Sequence, residues 1–158
     1  MPYEKSRYLN CGPASPVSMN QLKRYLNSFT QEHLVEIIFL NAQNNSVLWQ
    51  ALSASIGIRL SKGNLEEIKQ AIDYGFYFPD FIRYTEENGY SLIIYEMISA
   101  LEILYEEMGK QFTLQIASYM LESAQQALDY FEEGWNWTCA LESLENWIKN
   151  KFSERSLV

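Results

Sequence analysis

Histidine and cysteine are scarce in this sequence. Its 158 residues include one histidine, His33, and two cysteines, Cys11 and Cys139. A zinc site needs three or four converging Cys, His or carboxylate ligands, and a Ser or Cys nucleophile needs a positioned base. Too few such residues are present, and Cys139 falls at an interior helical position that suits a small buried side chain. We therefore predict no catalytic site, no metal site and no cofactor, and a protein that is not an enzyme.

Long apolar runs and phosphate-binding motifs are also missing. No stretch approaches the roughly 18 apolar residues that would cross a bilayer, and no Gly-x-x-x-x-Gly-Lys-Ser/Thr sequence is present. The two cysteines provide no disulfide framework, and the first residues lack the pattern of a secretory leader. These absences predict a soluble, cytoplasmic protein.

The net negative charge of the chain is confined to its second half. Residues 1–80 carry seven basic and seven acidic side chains, whereas residues 81–158 carry five basic and thirteen acidic ones, which accounts for the net charge of −8. A strongly negative half repels nucleic-acid phosphates and anionic membrane surfaces. We therefore expect no nucleic-acid or membrane partner, and the acidic half either attracts a basic partner or simply keeps the protein soluble.

Apolar residues recur at helical spacing along most of the sequence. After Gly12, the glycines at 57, 63, 75, 89, 109 and 134 each stand near the end of such a segment, where a left-handed helix cap is common. The pattern predicts an all-α fold of six or seven helices in antiparallel hairpins, forming a compact bundle or a short α-α superhelix. We predict an irregular arm over 1–17, a single helical domain over 18–152 and a tail over 153–158.

Caps and apolar stripes give the expected helix boundaries. Ser18 and Thr30 are predicted to cap the first two helices, and the second, over about 31–43, carries the apolar core run from Leu34 to Leu40. That run could by composition be a buried strand, but the cap favours a helix. A third helix is expected over about 46–56, a fourth begins at Asn64, and the last three cover about 91–108, 111–132 and 136–152.

Aromatic residues are abundant, at 15% of the chain with four tryptophans and eleven tyrosines. Such side chains anchor interfaces and pockets, and more commonly they pack helix pairs together. Six of them fall between Tyr74 and Tyr84, in an irregular stretch around Pro79. Paired glutamates on the later helices are either a basic partner's site, a metal site or tolerated surface charge. The candidate interaction surface comprises Tyr77, Phe81, Tyr84, Trp135, Trp137, Glu102, Glu106, Glu132 and Glu133.

The order of these features from about Thr30 to Phe152 resembles a bacterial all-helical region that occurs downstream of SWIM-type zinc fingers and in standalone small proteins. The segments that carry the resemblance are Leu34-Val35-Glu36-Ile37-Ile38, Gly63-Asn64-Leu65, Phe81-Ile82-Arg83-Tyr84, Leu101-Glu102-Ile103-Leu104 with Gly109, Ala124 to Phe131, and Glu133-Gly134. The Cys and His ligands of the zinc finger are absent from this chain. The resemblance implies a helix-pair scaffold with no assigned activity.

Three functions are compatible with the sequence. The first is a non-enzymatic protein-interaction module, of toxin-immunity or regulatory type, whose aromatic groove and acidic half favour a basic partner. The second is a small-molecule binder with a pocket near Tyr84, Tyr95 and Trp135. The third is a homo-oligomeric structural protein that buries its aromatic stretch in a two-fold interface.

Overall fold

The structure of the protein is a computed structural model that describes residues 15–153. The predicted arm over 1–17 and tail over 153–158 therefore lie almost entirely outside the described residues. Seven α-helices and two short 3₁₀ turns make up the regular structure of the described part, which confirms the predicted all-α class. The helices are α1 (Met19–Leu26), α2 (Gln31–Asn44), α3 (Ser46–Leu60), α4 (Leu65–Gly75), α5 (Ser91–Met108), α6 (Lys110–Ala127) and α7 (Trp135–Phe152).

The backbone divides into two compact units, and the division falls inside α2. The first unit ends at Leu40 and the second begins at Asn41. The sequence predicted one helical domain over 18–152 and does not anticipate a division within a helix. The two units are described separately below.

Local hydrogen bonds begin both helices of the first unit, as their sequence predicts. The Ser18 hydroxyl accepts from the Gln21 backbone N–H at 3.1 Å, and the Gln21 side chain accepts from the Ser18 N–H at 2.8 Å, which is a capping box. The Thr30 hydroxyl accepts from the backbone N–H of His33 at 3.1 Å. These bonds satisfy N–H groups that have no partner within the helix, so the two predicted caps are confirmed.

The apolar run from Leu34 to Leu40 is helical but is not a core run. Leu34 is half-buried, while Val35, Ile37, Ile38, Phe39 and Leu40 are all exposed. The expectation that this run is core is therefore wrong. Two helices with fewer than 30 described residues cannot enclose a core, because a unit this small buries too little of its surface.

In the second unit, α5 is the central helix. Helices α3, α6 and α7 pack against it, and α4 packs against α3 and α6. The predicted stripe of α5 lies in the core, since Ile94, Met97, Leu101 and Leu104 are buried. Core residues from the neighbouring helices include Ile58, Ile68, Ile72, Ile116, Met120, Trp137 and Leu144.

Gly57 and Gly75 allow α3 and α4 to approach closely. Helix α3 continues past Gly57 to Leu60, and a Cβ at Gly57 would lie 3.1 Å from the Ala71 Cβ. Gly75 is the last residue of α4, and a Cβ there would lie 2.9 Å from the Ala54 Cβ. Both positions lack room for a side chain. The glycines that do adopt positive φ are Gly63, Gly109 and Gly134.

Helix α6 ends earlier than its sequence predicts. It stops at Ala127, a 3₁₀ turn follows over Leu128–Tyr130, and Phe131 leaves the helix altogether. The cause is a long-range pairing, because the Ile82 N–H donates to the Tyr130 carbonyl at 2.7 Å and the Glu132 N–H donates to the Ile82 carbonyl at 2.9 Å. This pairing ties the segment before α5 to the junction between α6 and α7.

Candidate functional site

A concave surface of the second unit lies along the segment 76–90, which connects α4 to α5 and which we call the elbow. A groove of about 1160 Å³ runs between this segment, the end of α2 and the start of α3. Tyr77 and Phe81 are 65% and 59% exposed, so the groove is open to solvent. The aromatic residues that line this elbow groove are Trp49, Tyr74, Tyr77, Phe78, Phe81 and Tyr90.

A glutamine of α3 holds the first part of the elbow in place. The Gln50 side-chain amide donates to the carbonyls of Tyr74, Gly75 and Tyr77 at 3.0, 3.2 and 2.8 Å. The last carbonyls of a helix have no partner within it, so this amide satisfies the end of α4 and sets the direction in which the chain leaves. Tyr77 is thereby placed on the groove.

The inner side of the elbow is anchored in a cluster of aromatic rings. Phe78 is buried and meets Tyr90, Tyr130, Phe131 and Trp137 edge-on, with ring centroids 5.4 to 6.1 Å apart. Aromatic pairs in this geometry are each worth about 0.5–1.5 kcal/mol beyond the area that they bury. The cluster therefore gives the elbow groove a fixed inner wall.

Trp137 belongs to this cluster and not to the surface. Its side chain has no exposed area, its ring stacks on Phe131 at 4.8 Å, and its indole N–H donates to the Ala124 carbonyl at 2.8 Å. The expectation that Trp137 contributes to an interaction surface is wrong. A buried tryptophan needs a hydrogen-bond acceptor for its indole N–H. The Ala124 carbonyl, near the end of α6, is that acceptor for Trp137.

A buried carboxylate joins the elbow to the start of α7. Glu87 is 3% exposed, and its two carboxylate oxygens accept from the backbone N–H groups of Gly134 and Asn136, each at 3.1 Å. A negative charge at a helix N-terminus is stabilised by the helix dipole and by the N–H groups that lack a helical partner. The bond between the Asn136 and Asn88 side-chain amides, at 2.9 Å, adds to this attachment.

The charge on the elbow groove is negative. Asp80 and Glu86 are among its lining residues, and no lining residue in the described part of the chain is a lysine or arginine. The pKa of the Tyr90 hydroxyl is raised above its usual value of 10.0, chiefly by burial and then by the charges of Glu86 and Asp80. The Tyr90 hydroxyl thus stays protonated at neutral pH, and the groove presents rings and carboxylates together.

The structure places the predicted surface residues in several locations. Tyr77 and Phe81 line the groove, whereas Tyr84 is exposed outside its lining, with its backbone N–H 3.5 Å from a Glu132 carboxylate oxygen. Trp135 is the exposed first residue of α7. None of Tyr84, Tyr95 and Trp135 lines the groove, and the small-molecule pocket expected near them stays a prediction. Glu132 and Glu133 are exposed at the junction before α7.

The two glutamates of α5 in the candidate interaction surface, Glu102 and Glu106, differ from one another. Glu102 accepts a hydrogen bond from the indole N–H of Trp147 and pairs with Lys151 at 3.3 Å. The Lys151 ammonium also lies 4.8 Å from the centre of the Tyr105 ring. Glu106 is exposed. Glu102 is thus engaged within the chain, on the face that α5 shares with α7, while its side chain stays partly exposed.

Several lining residues were missed by the sequence analysis. Gln50, Asp80, Glu86 and Tyr90 carry no motif, and their roles depend on the path of the elbow. A signal for the carboxylates was nevertheless available, since Asp80 directly precedes Phe81, a ring already singled out. Trp49 lies in the first turn of α3. Because it is far from the elbow in sequence, the sequence pattern did not indicate that it lines the groove.

Metal ligands, membrane-spanning helices and Cys139 are the other features that bear on function. Over residues 15–153 no three or more His, Cys, Asp or Glu side chains are grouped so that they could hold a metal ion. Nor is any helix in that range both long and apolar enough to cross a membrane. Cys139 is exposed on α7, so the expectation of a small buried side chain there is wrong.

Comparison with known proteins gives no relative. No protein-family model matches the chain, and no curated protein and no solved structure matches it either. The resemblance to the region next to SWIM-type zinc fingers therefore stays a prediction.

Proposed function

We propose that the protein is a non-enzymatic interaction module whose elbow groove binds a basic, arginine- or lysine-containing segment of a partner protein. The observation that carries this proposal is the composition of the groove, in which exposed aromatic rings and two carboxylates stand together without a cation among the described lining residues. A guanidinium or ammonium group can stack on such rings while it pairs with a carboxylate.

The strength of binding follows from these contacts. A cation on an exposed aromatic ring is worth about 0.5–1 kcal/mol, and an exposed ion pair is worth about 0.2–1 kcal/mol. One arginine in the groove therefore gives only weak affinity, so a partner segment needs two or more cations or an additional apolar contact. The groove suits a transient, salt-sensitive association.

The charge of the rest of the chain supports the same class of partner. The net charge is −8, and the excess of acidic residues falls within 81–158. Such a field raises the rate at which a positively charged partner approaches and opposes acidic ones. Toxin neutralisation and regulation of a basic enzyme are both functions that this mode of binding would serve.

A peptide-binding experiment tests the proposal. The probes are two fluorescein-labelled peptides of equal length, one of alternating arginine and glycine and one of alternating glutamate and glycine. We expect fluorescence anisotropy to show that the arginine peptide binds and that affinity falls as salt is raised. We also expect amide and indole NMR shifts to concentrate at Trp49, Tyr77 and Phe81.

The decisive comparison uses two double variants that change the net charge equally. Asp80→Asn with Glu86→Gln removes the carboxylates of the groove, whereas Glu106→Gln with Glu107→Gln removes two exposed carboxylates at the end of α5. The groove variant should weaken binding about tenfold, since each lost ion pair is worth up to about 1 kcal/mol, and the α5 variant should not. Equal weakening by both would show that net charge alone attracts the peptide, and the proposal would be rejected.

A further inference from the structure

The first unit presents an unusual amount of exposed apolar surface. Residues 19–40, which we call the N-terminal helix pair, include exposed side chains on both α1 and α2. The exposed apolar residues of the two helices are Met19, Leu22, Tyr25, Val35, Ile37, Ile38, Phe39 and Leu40. Across the described residues of α1, no side chain is buried at all.

The apolar residues of α2 do not form a simple stripe. Ile37, Ile38, Phe39 and Leu40 are consecutive, and successive helical residues point about 100° apart, so together they face every side of the helix. A helix that is apolar all round is normally a buried one. These four residues of α2 are exposed, although an apolar helix of this kind is normally buried.

The exposed apolar side chains of this pair indicate an interaction site. Nine apolar side chains of the N-terminal helix pair are between 39% and 88% exposed. A standard interface buries about 800 Å² per partner, and a group of large exposed apolar side chains of this kind is typical of an interaction site.

The charges on this pair indicate what that molecule is. Lys23 and Arg24 lie in the last turn of α1, while Glu32 lies in the first turn of α2 and Glu36 follows one turn later. The pair is thus neutral, in contrast to the chain as a whole. Two copies do not repel each other there, and a two-fold contact can place the α1 cations of each copy opposite the α2 carboxylates of the other. A strongly basic or acidic partner would match only one of the two sets.

We propose that the N-terminal helix pair is a self-association surface, and that a second copy of this chain covers it in a two-fold symmetric dimer with α1 cations opposite the α2 carboxylates of the other copy. The proposal does not rest on the elbow groove. Its consequence for the protein is that each assembly carries two such grooves, which raises the apparent affinity for a partner with two basic segments.

Sedimentation equilibrium of the purified full chain between 1 and 100 μM tests the dimer. We expect the wild-type protein to show twice the chain mass over most of this range. Ile38→Glu should raise the dimer dissociation constant at least a hundredfold. Because Ile38 is exposed and outside the core, the circular dichroism and thermal midpoint of this variant at low concentration should equal those of the wild-type monomer. Leu60→Glu, at an exposed position of α3, is the matched control and should leave the dimer intact.

A charge-exchange experiment tests the pairing itself. One variant carries Lys23→Glu and Arg24→Glu, and the other carries Glu32→Lys and Glu36→Lys. Each alone should dissociate, because like charges would then face each other, and an equimolar mixture should form a heterodimer. A wild-type monomer at 100 μM, a larger oligomer, or a mixture that stays monomeric would each overturn the proposal. Binding of the wild-type monomer to neutral or anionic lipid vesicles would assign the surface to a membrane instead.

Discussion

Replacing Glu87 by glutamine should destabilise the protein markedly, although the two side chains have nearly the same shape. The Glu87 carboxylate is 3% exposed and accepts from two backbone N–H groups at the start of α7. Glutamine keeps one acceptor oxygen and turns a donor NH₂ group toward the second N–H. One hydrogen bond is then lost, and two donors face each other without water.

The magnitude follows from the bonds that change. A hydrogen bond to a charged group is worth about 1.5–3 kcal/mol, and the attraction between the charge and the helix N-terminus adds about 0.3–1 kcal/mol. We expect Glu87→Gln to lower the free energy of unfolding by about 2–3 kcal/mol. For a chain of this length that corresponds to a fall in the thermal midpoint of roughly 5–10 °C. Glu87→Ala, which leaves both N–H groups unsatisfied, should cost about 3–5 kcal/mol.

Urea unfolding followed by circular dichroism measures these differences. Glu86→Gln is the matched control, because Glu86 is the neighbouring residue and is exposed, so its loss should change the unfolding free energy by less than about 0.5 kcal/mol. If Glu87→Gln were as stable as Glu86→Gln, the buried carboxylate would not hold the elbow to α7. The fixed inner wall of the groove would then need another explanation.

Three further predictions test other parts of the structure. Leu101→Asp places an unpaired charge in the centre of the core and should abolish the cooperative unfolding transition, and a variant that melts near the wild-type temperature would contradict the packing of α5. The hydrogen bond from the Tyr119 hydroxyl to Asp73, at 2.6 Å, raises the Tyr119 pKa to about 12, so its contribution to stability is complete below pH 10 and is lost as pH rises toward 12. Asp73→Asn should return the pKa of that tyrosine toward 10, as followed by the ¹³Cζ chemical shift, and an unchanged titration would refute the bond. Glu102→Gln should lower the free energy of unfolding by about 0.5 kcal/mol, because the ion pair with Lys151 is lost, whereas Glu106→Gln should leave it unchanged. Equal unfolding free energies of the two variants in urea would show that the ion pair contributes nothing.

Helix positions were largely predictable because their signals are local. Ser18, Thr30 and Asn64 begin helices through bonds to N–H groups two or three residues away, and the spacing of apolar residues on α5 fixes its buried face. Where the predictions were wrong, a long-range contact had replaced a local preference. Phe131 continues the pattern of α6 but leaves the helix because its segment pairs with Ile82.

The start of α7 shows the limit of local signals most clearly. The residues before Trp135 are Glu132, Glu133 and Gly134, none of which has a side chain that caps the helix. The missing cap comes from Glu87, which lies 47 residues before Gly134 in the sequence. The absence of a local cap was visible in the sequence, but the residue that replaces it was not.

The sequence predicted the aromatic character of the groove but not all of the residues that line it. The concentration of rings between Tyr74 and Tyr84 indicated an aromatic surface, and Tyr77 and Phe81 do line the groove. Which other residues join them depends on how Gln50 directs the chain out of α4 and on where Phe78 is buried. Neither contact follows from composition or periodicity.

The sequence by itself determined the all-α class and the ends of most helices, because helical periodicity and capping act over a few residues. The stripe of α5 apart, the tertiary structure decided which apolar residues are buried. Trp137 carries a polar N–H and is fully enclosed, whereas Ile37 and Ile38 carry none and are exposed. Burial depends on what the rest of the chain places against a side chain, and that is a property of the whole packing and not of the residue.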